Sequence, residues 1–374
     1  MLLVVGLVVL TTNTLMPTIV GTHVDSFGLT LDQAGYAAAA YMAGGGLGGL
    51  VTGALLLRAP TRLLLFAGLA GLAVGNFLSI FVNSFGPILI IRFIAGIGEG
   101  IGFALMGAGV SRQKSPQRMF GLFTLLLLLV SAAIQSLLPM VREYLGGHYI
   151  FLPIALAPAL LLFAFKKFPD LSRRLEGGVA STTMLPTPRG FRTAILAVPV
   201  ATFIVYIAYG AQFAYVDRLG VSAGLSVDAV SYTLALGSLF ALIGAGLATV
   251  LRGESAVILK LSAALLVVLG AIWLCTTRDP FAYRLGVILL LCGWFFFAPS
   301  LMGLMSTVDR TGRIAAVSLG TMGWGLAAGP ALAAFLVPVS GLHAIGWIAT
   351  VGIITSWVLL IFTVRRARIG ERAD

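Results

Sequence analysis

Short polar gaps divide this chain into twelve apolar runs, at roughly 1–22, 31–57, 63–83, 87–110, 119–140, 149–165, 193–215, 229–250, 256–275, 283–305, 314–337 and 343–363. No other feature constrains the fold as strongly. Each run is close to the ~20 residues that an α-helix needs to cross a bilayer, and most are about twice the length of a barrel strand. Hydrocarbon offers no partner for backbone N–H and C=O groups, so a spanning segment must satisfy them internally, as a helix does. Composition agrees. Charged residues are 10% of the chain and hydrophobic ones 59%, against about 25% charged in a soluble domain. The sequence predicts an all-α membrane protein of twelve transmembrane helices. The sixth run is the shortest and holds Pro153 and Pro158.

The formal net charge of +11 does not point to nucleic acid, because the basic residues sit in the gaps between spans. Of the 24 Lys and Arg, nineteen fall in one alternating set of gaps and the tail. Four, Arg142, Arg218, Arg278 and Arg284, fall in or at the edge of the opposite set, and Arg92 is the one that remains. The side rich in Lys and Arg is the cytoplasmic one, so both termini are expected inside, in a bacterial inner membrane. The longest gap, 166–192, is polar and basic and carries Gly177-Gly178, Pro186 and Pro188. It reads as a flexible cytoplasmic linker between a half at 1–165 and a half at 193–374. The first run has no charged flank and no small-residue cleavage site, and reads as a retained helix. Its abrupt start suggests a preceding cytoplasmic leader. Cys275 and Cys292 fit no metal spacing and read as small packing residues.

An internal repeat supports two halves. The second run opens with GLTLDQAGY from Gly28, and the eighth with GLSVDAVSY from Gly224. Thr30 and Ser226 fall where an N-cap belongs, and Asp32 and Asp228 suit a first helical turn. Two six-span halves in parallel orientation, joined by a cytoplasmic linker, resemble the major facilitator superfamily of secondary transporters. That resemblance covers nearly the whole chain. It implies a small-molecule substrate bound near mid-membrane between halves that rock to expose it to either side. It also implies a monomer in lipid with no cofactor.

The superfamily's motif after the second span, Gly-x-Leu-Ala-Asp-Arg-x-Gly-Arg-Arg/Lys, is met in part by GALLLRAPTRLLL. Gly53, Leu55, Arg58, Arg62 and Leu65 match, while Leu57 replaces the Asp and Pro60 the Gly. Gly53, Arg58 and Arg62 are candidates for the conformational role of that motif. Positive-inside anchoring explains the two arginines equally simply. In the fourth span, Arg92, Gly96 and Gly98 match the superfamily's Arg-x-x-x-Gly-x-Gly, and Arg92 with Glu99 is similar to the Arg-x6-Glu pattern of its organic anion/cation symporters and spinster-like transporters. The fifth span lacks the Gly-Pro signature of many drug antiporters. GWGLAAGP, from Gly323, carries a related pattern in the eleventh span and reads as a kink and close-packing surface.

Glu99 and Arg92 carry the central expectation. Seven residues are almost two turns, so the two side chains share a helix face about 10.5 Å apart along the axis, with Gly96 between them. Entered from the outside near Pro87, the helix puts Arg92 about 7.5 Å deep, within reach of the interface by snorkelling. Glu99 lies about 18 Å deep, near mid-membrane. A carboxylate there costs several kcal/mol unless it is paired, hydrated or protonated. Proton-coupled transport requires a group of that kind, so Glu99 and Arg92 are the proton-coupling candidates.

By analogy with the superfamily's cavity helices, Asn13, Tyr206, Tyr209, Gln212 and Trp294 are substrate-cavity candidates, with Gln135 in the fifth span. Each also suits ordinary interhelical hydrogen bonding or, for the aromatics, an interface. The glycine run at 44–49 follows no strand and reads as a packing surface rather than a phosphate cradle. The three histidines, His23, His148 and His343, stand on different segments, and no nucleophile motif, metal cluster or nucleotide loop accompanies them. An enzyme is not expected. Two transport readings remain open. One is proton-coupled movement of a small organic solute, with an anion as one version. The other is proton-driven efflux of hydrophobic or cationic compounds past Trp294, Phe295, Phe296 and Phe297.

Overall fold

The structure is a computed structural model that describes residues 1–56, 58–171, 191–250, 257–308 and 313–370. Thirteen α-helices carry the described chain: α1 Leu2–Thr14, α2 Met16–Asp25, α3 Leu31–Leu55, α4 Thr61–Leu78, α5 Phe85–Val110, α6 Pro116–Leu145, α7 Phe151–Leu162, α8 Phe191–Ser222, α9 Val227–Val250, α10 Val257–Thr276, α11 Pro280–Val308, α12 Arg313–Ser340 and α13 His343–Gly370. Among the described residues, ten helices are long and apolar enough to cross a membrane. The first apolar run becomes the pair α1 and α2, bent by 42° at Leu15. The sixth becomes the shorter apolar helix Gly147–Leu162. Every one of the twelve runs is therefore helical, with a broken helix at the first and a short one at the sixth. Most of the expected linker, residues 172–190, lies outside the described residues, as does Leu57.

The two repeat openings are built alike. Gly28 and Gly224 both adopt positive φ, 68° and 88°, a conformation that only glycine takes at no steric cost. Two residues after Gly28, Thr30 caps α3 in a reciprocal capping box with Gln33, which satisfies two otherwise orphaned donors. Ser226 stands immediately before α9 in the same position.

The chain divides into two compact units, Met1–Val179 with Val227–Ala235, and Ala180–Ser226 with Leu236–Asp374. In the first, the α3–α5 seam is the closest. Gly44 and Gly48 lie on the backbone of Phe93 and Ile97, while Gly96 and Gly100 lie on the carbonyls of Tyr41 and Gly45. A Cβ at any of the four would collide with main chain. Gly98 makes the same approach to α4, over the Gly68 carbonyl. The glycine run of the second span is thus a packing surface against α5. At the basic end of this unit, Arg62 donates from Nε to the Phe168 carbonyl at 3.1 Å, and the Leu171 N–H donates to Thr61 Oγ1 at 3.2 Å. Phe168 and Leu171 are both buried. Within the same unit Arg142 pairs with Asp228 at 3.0 Å and bonds the Ser231 hydroxyl.

In the second unit, α8 takes the central place. Gly325 and Gly329 of the GWGLAAGP stretch rest on the Phe203 and Ile207 carbonyls of α8, a close-packing surface again. The core beside it gathers Val205, Tyr206, Leu265, Val268, Leu290, Trp294 and Phe297.

Candidate functional site

The glycine seam of the first unit determines what faces Glu99. Because Gly96 has no side chain, α3 approaches until the Tyr41 carbonyl lies against it. The Tyr41 side chain then fills the face between Arg92 and Glu99. Its hydroxyl donates to Glu99 Oε2. The Arg92 guanidinium sits over its ring, with Cζ 4.5 Å from the centroid. The face along α5 is occupied from the neighbouring helix, and tyrosine stands between Arg92 and Glu99. Among the described residues no direct ion pair joins Arg92 to Glu99.

Glu99 is 5% exposed. Its other oxygen, Oε1, accepts from Asn13 Nδ2 at 3.3 Å. Asn13 lies in the last turn of α1, two residues before the break at Leu15. Both carboxyl oxygens therefore have donors, one from α1 and one from α3, which offsets much of the cost of burying the group.

Arg92 does not snorkel. It is 1% exposed and turns into the unit. Its Nη1 donates to Asn76 Oδ1 at 2.8 Å, and the Phe151 ring lies 5.4 Å from Cζ. Two aromatic faces and an amide oxygen surround the cation there, contacts that stabilise a guanidinium in an apolar setting. Its Nη2 has no protein partner. Asn76 spends its amide group on two further bonds, to Thr12 Oγ1 and to the Ile154 carbonyl, each 3.1 Å. His23, 1% exposed, packs edge-on to Phe27 and stacks on Phe151, so it lies inside the unit rather than at an exposed end. Gln135 accepts from the Thr18 hydroxyl at 3.1 Å and so ties α6 to α2, without joining the Glu99 cluster.

Sequence reasoning singled out Glu99, Arg92 and Asn13, which the structure brings together. It missed Tyr41, Asn76 and Thr12. Asn76 did carry a signal, a lone amide deep in an apolar run. Tyr41 carried a weaker one, the deeper of two tyrosines in an Ala- and Gly-rich stretch.

The second unit gathers the aromatic candidates. Tyr209 stacks on Trp294 with centroids 3.6 Å apart and planes 6° from parallel. Tyr206 meets the same indole edge-on at 4.9 Å. Phe213 stacks on the other ring of the pair, Tyr209, at 5.4 Å, and Phe297 adjoins Trp294 at 5.5 Å. Gln212, one turn beyond Tyr209 on α8, is fully buried, and neither its Oε1 nor its Nε2 has a partner. Of the conformational-motif candidates, Arg62 binds the Phe168 carbonyl, Arg58 is exposed, and Gly53 has open space around its Cα. No group of three or more His, Cys, Asp or Glu among the described residues could hold a metal ion.

The helices and their buried polar cluster define a polytopic α-helical membrane protein. The Major Facilitator Superfamily sequence model matches residues 1–318, and the chain belongs to that superfamily. Solved structures agree on the fold. A D-xylose-proton symporter superposes with a TM-score of 0.75 at 15% identity, over 97% of this chain and 95% of its own. The nucleoside transporter NupG, as a mutant, gives 0.73 at 12% over 98% of each chain. The xylose transporter XylE of E. coli, in a partially occluded inward-open conformation, gives 0.70 at 14% over 97% of each. No curated protein sequence matches significantly.

Proposed function

We propose that this protein is a proton-coupled secondary transporter of a small organic solute, working by alternating access in a bacterial inner membrane as a monomer with both termini in the cytoplasm. Glu99 carries the proton. The observation that carries the reading is an acid 5% exposed, each of whose oxygens is held by a neutral donor, Asn13 or Tyr41. Such a carboxyl can exist in either protonation state without leaving its place. A neutral donor can turn to accept when the acid is protonated. Arg92, on the far side of the Tyr41 ring, biases that choice through the low-dielectric interior. The fold shared with a D-xylose-proton symporter supports the same reading.

Arg92 is enclosed by Tyr41, Asn76 and Phe151. Its role in this conformation is therefore toward Glu99 and not toward solute, which removes the main support for an anionic substrate. Recognition belongs instead to the Tyr209–Trp294 stack and Gln212 in the second unit. They suit a solute with a flat face and hydrogen-bonding groups. The same aromatic cluster supports a second reading, efflux of hydrophobic compounds against protons, which differs in the direction of net flux.

Purified protein in proteoliposomes with an imposed pH gradient tests the proposal, using D-xylose, uridine, gluconate and a hydrophobic cation as labelled probes. A transported probe accumulates against its gradient with the unaltered chain. Glu99→Gln keeps exchange of that probe across the membrane at equal pH, but loses at least tenfold in pH-driven accumulation. Accumulation by Glu99→Gln that still follows the pH gradient overturns the proton role. The sign of flux under the gradient separates uptake from efflux.

A further inference from the structure

We propose that Tyr41 is the positioning residue that sets the protonation of Glu99 and transmits it to Arg92. The inference rests on the reading of Glu99 as the proton carrier and deepens it.

Tyr41 makes three contacts that no other residue of the cluster combines. Its hydroxyl donates to Glu99 Oε2, its ring lies beneath the Arg92 guanidinium, and its own carbonyl is pinned against Gly96, midway between those two residues. The last contact fixes the other two. With Gly44, Gly48 and Gly100 holding α3 to α5 on either side, the phenol has no freedom to withdraw by a helix shift. Its side chain is fully buried.

A hydroxyl donated to a carboxylate favours the ionised form. When Glu99 takes a proton, the acid becomes a donor and the phenol must accept from it or turn away. The same ring presents its electron-rich face to Arg92. Loss of the negative charge therefore changes the hydrogen bond at one end of the phenol and the electrostatic environment of the guanidinium over its face. Asn13, on the other carboxyl oxygen, experiences the same change at the broken first span.

The groups that face Glu99 are few. From α3 it meets Tyr41 and from α1 Asn13, while Arg92 stands on its own helix. From α4, Asn76 reaches it only through Arg92, and His23 of α2 lies beyond Phe151. The charged residues of α6, Arg118, Arg142 and Glu143, stand in its terminal turns, and the charged residue of α4, Arg62, in its first. Tyr41 is therefore the group whose removal isolates the effect.

The test needs no substrate. Infrared difference spectra of the full purified chain in detergent, taken against Glu99→Gln, isolate the carboxyl stretch of Glu99 and follow it with pH. In the unaltered chain that band titrates. In Tyr41→Phe, which keeps the ring and removes only the hydroxyl, its midpoint moves alkaline by about one pH unit. Glu99→Asp, one methylene shorter, lifts the acid off the phenol by an independent route. Its band, taken against Glu99→Gln, then no longer responds to Tyr41→Phe. A Tyr41→Phe midpoint that superimposes on that of the unaltered chain overturns the positioning role while leaving Glu99 a proton carrier. A Glu99 band that does not change with pH in the unaltered chain overturns the carrier reading itself. Where Tyr41→Phe is too unstable to titrate, Glu99→Asp alone decides: its midpoint lies alkaline of that of the unaltered chain although aspartic acid is intrinsically the stronger acid, and a midpoint at or acid of it rejects the contact. Where both titrate, an equal Tyr41→Phe shift in the Glu99→Asp background rejects the contact.

Discussion

Asn76 holds three elements at one point: it accepts from Arg92 of α5 and donates to Thr12 of α1 and to the Ile154 carbonyl of α7. Removing it leaves a buried guanidinium N–H, a hydroxyl and a carbonyl short of partners at once. Asn76→Leu, close in size, is expected to cost about 2–3 kcal/mol of stability. Thermal unfolding in detergent checks this, and Asn76→Asp, which keeps the acceptor for Arg92, should lose less stability than Asn76→Leu does. An equal fall for both variants would mean that the Arg92 bond is not what matters there. At this scale the sequence was legible where depth alone decides. Glu99 stands out because no side chain of its length reaches an interface from mid-membrane. It was illegible where the partner comes from another helix. Spacing along α5 set Arg92 and Glu99 on one face, but nothing in α5 says that Tyr41 will occupy it. The inward turn of Arg92 has the same origin: it depends on Asn76 and Phe151 waiting on α4 and α7.

Between elements, glycine placement sets the packing. Gly96→Ala and Gly44→Ala each drive a methyl into the backbone of the facing helix, which cannot yield as a flexible side chain would. Each is expected to cost about 1–3 kcal/mol or more, read as lost monodisperse protein and a lower melting temperature. Gly49→Ala and Gly107→Ala, which meet nothing within 4 Å, should behave as the unaltered chain. The strap at 168–171 offers a second test. Arg62 and Thr61 each give one bond to its backbone, and Lys166 and Lys167 stand exposed beside it. Arg62→Ala with Thr61→Val should raise trypsin cleavage at that pair several-fold, since cleavage of a locally opened segment follows the population of its open form. Unchanged cleavage would remove Arg62 from the set of residues that hold the strap. The glycine run at 44–49 was readable as a packing face because small residues at helical spacing in an apolar run have few other uses. The break at Leu15 was not readable. Pro17 lies within the first run, yet proline is also tolerated inside four of the longer helices, at Pro139, Pro199, Pro299, Pro330 and Pro338.

For the whole molecule, the distribution of basic residues makes an orientation testable apart from transport. In a chain with Cys275 and Cys292 replaced by alanine, Ser84→Cys and Thr277→Cys should react with a membrane-impermeant maleimide in intact cells. Ala59→Cys and Ser115→Cys should react only after the cells are opened. The reverse pattern would invert the topology argued from Lys and Arg. A last consequence follows from the glycine seams. In a saturation scan of the chain, Gly44, Gly48, Gly96, Gly98 and Gly100 would be among the least tolerant positions, although the structure gives them no chemistry to perform. A map of intolerance would then point at α3 and α5 as if they held the solute. Only a scan scored twice, for abundance in the membrane and for flux per molecule, would remove the glycines and leave the residues on which flux depends.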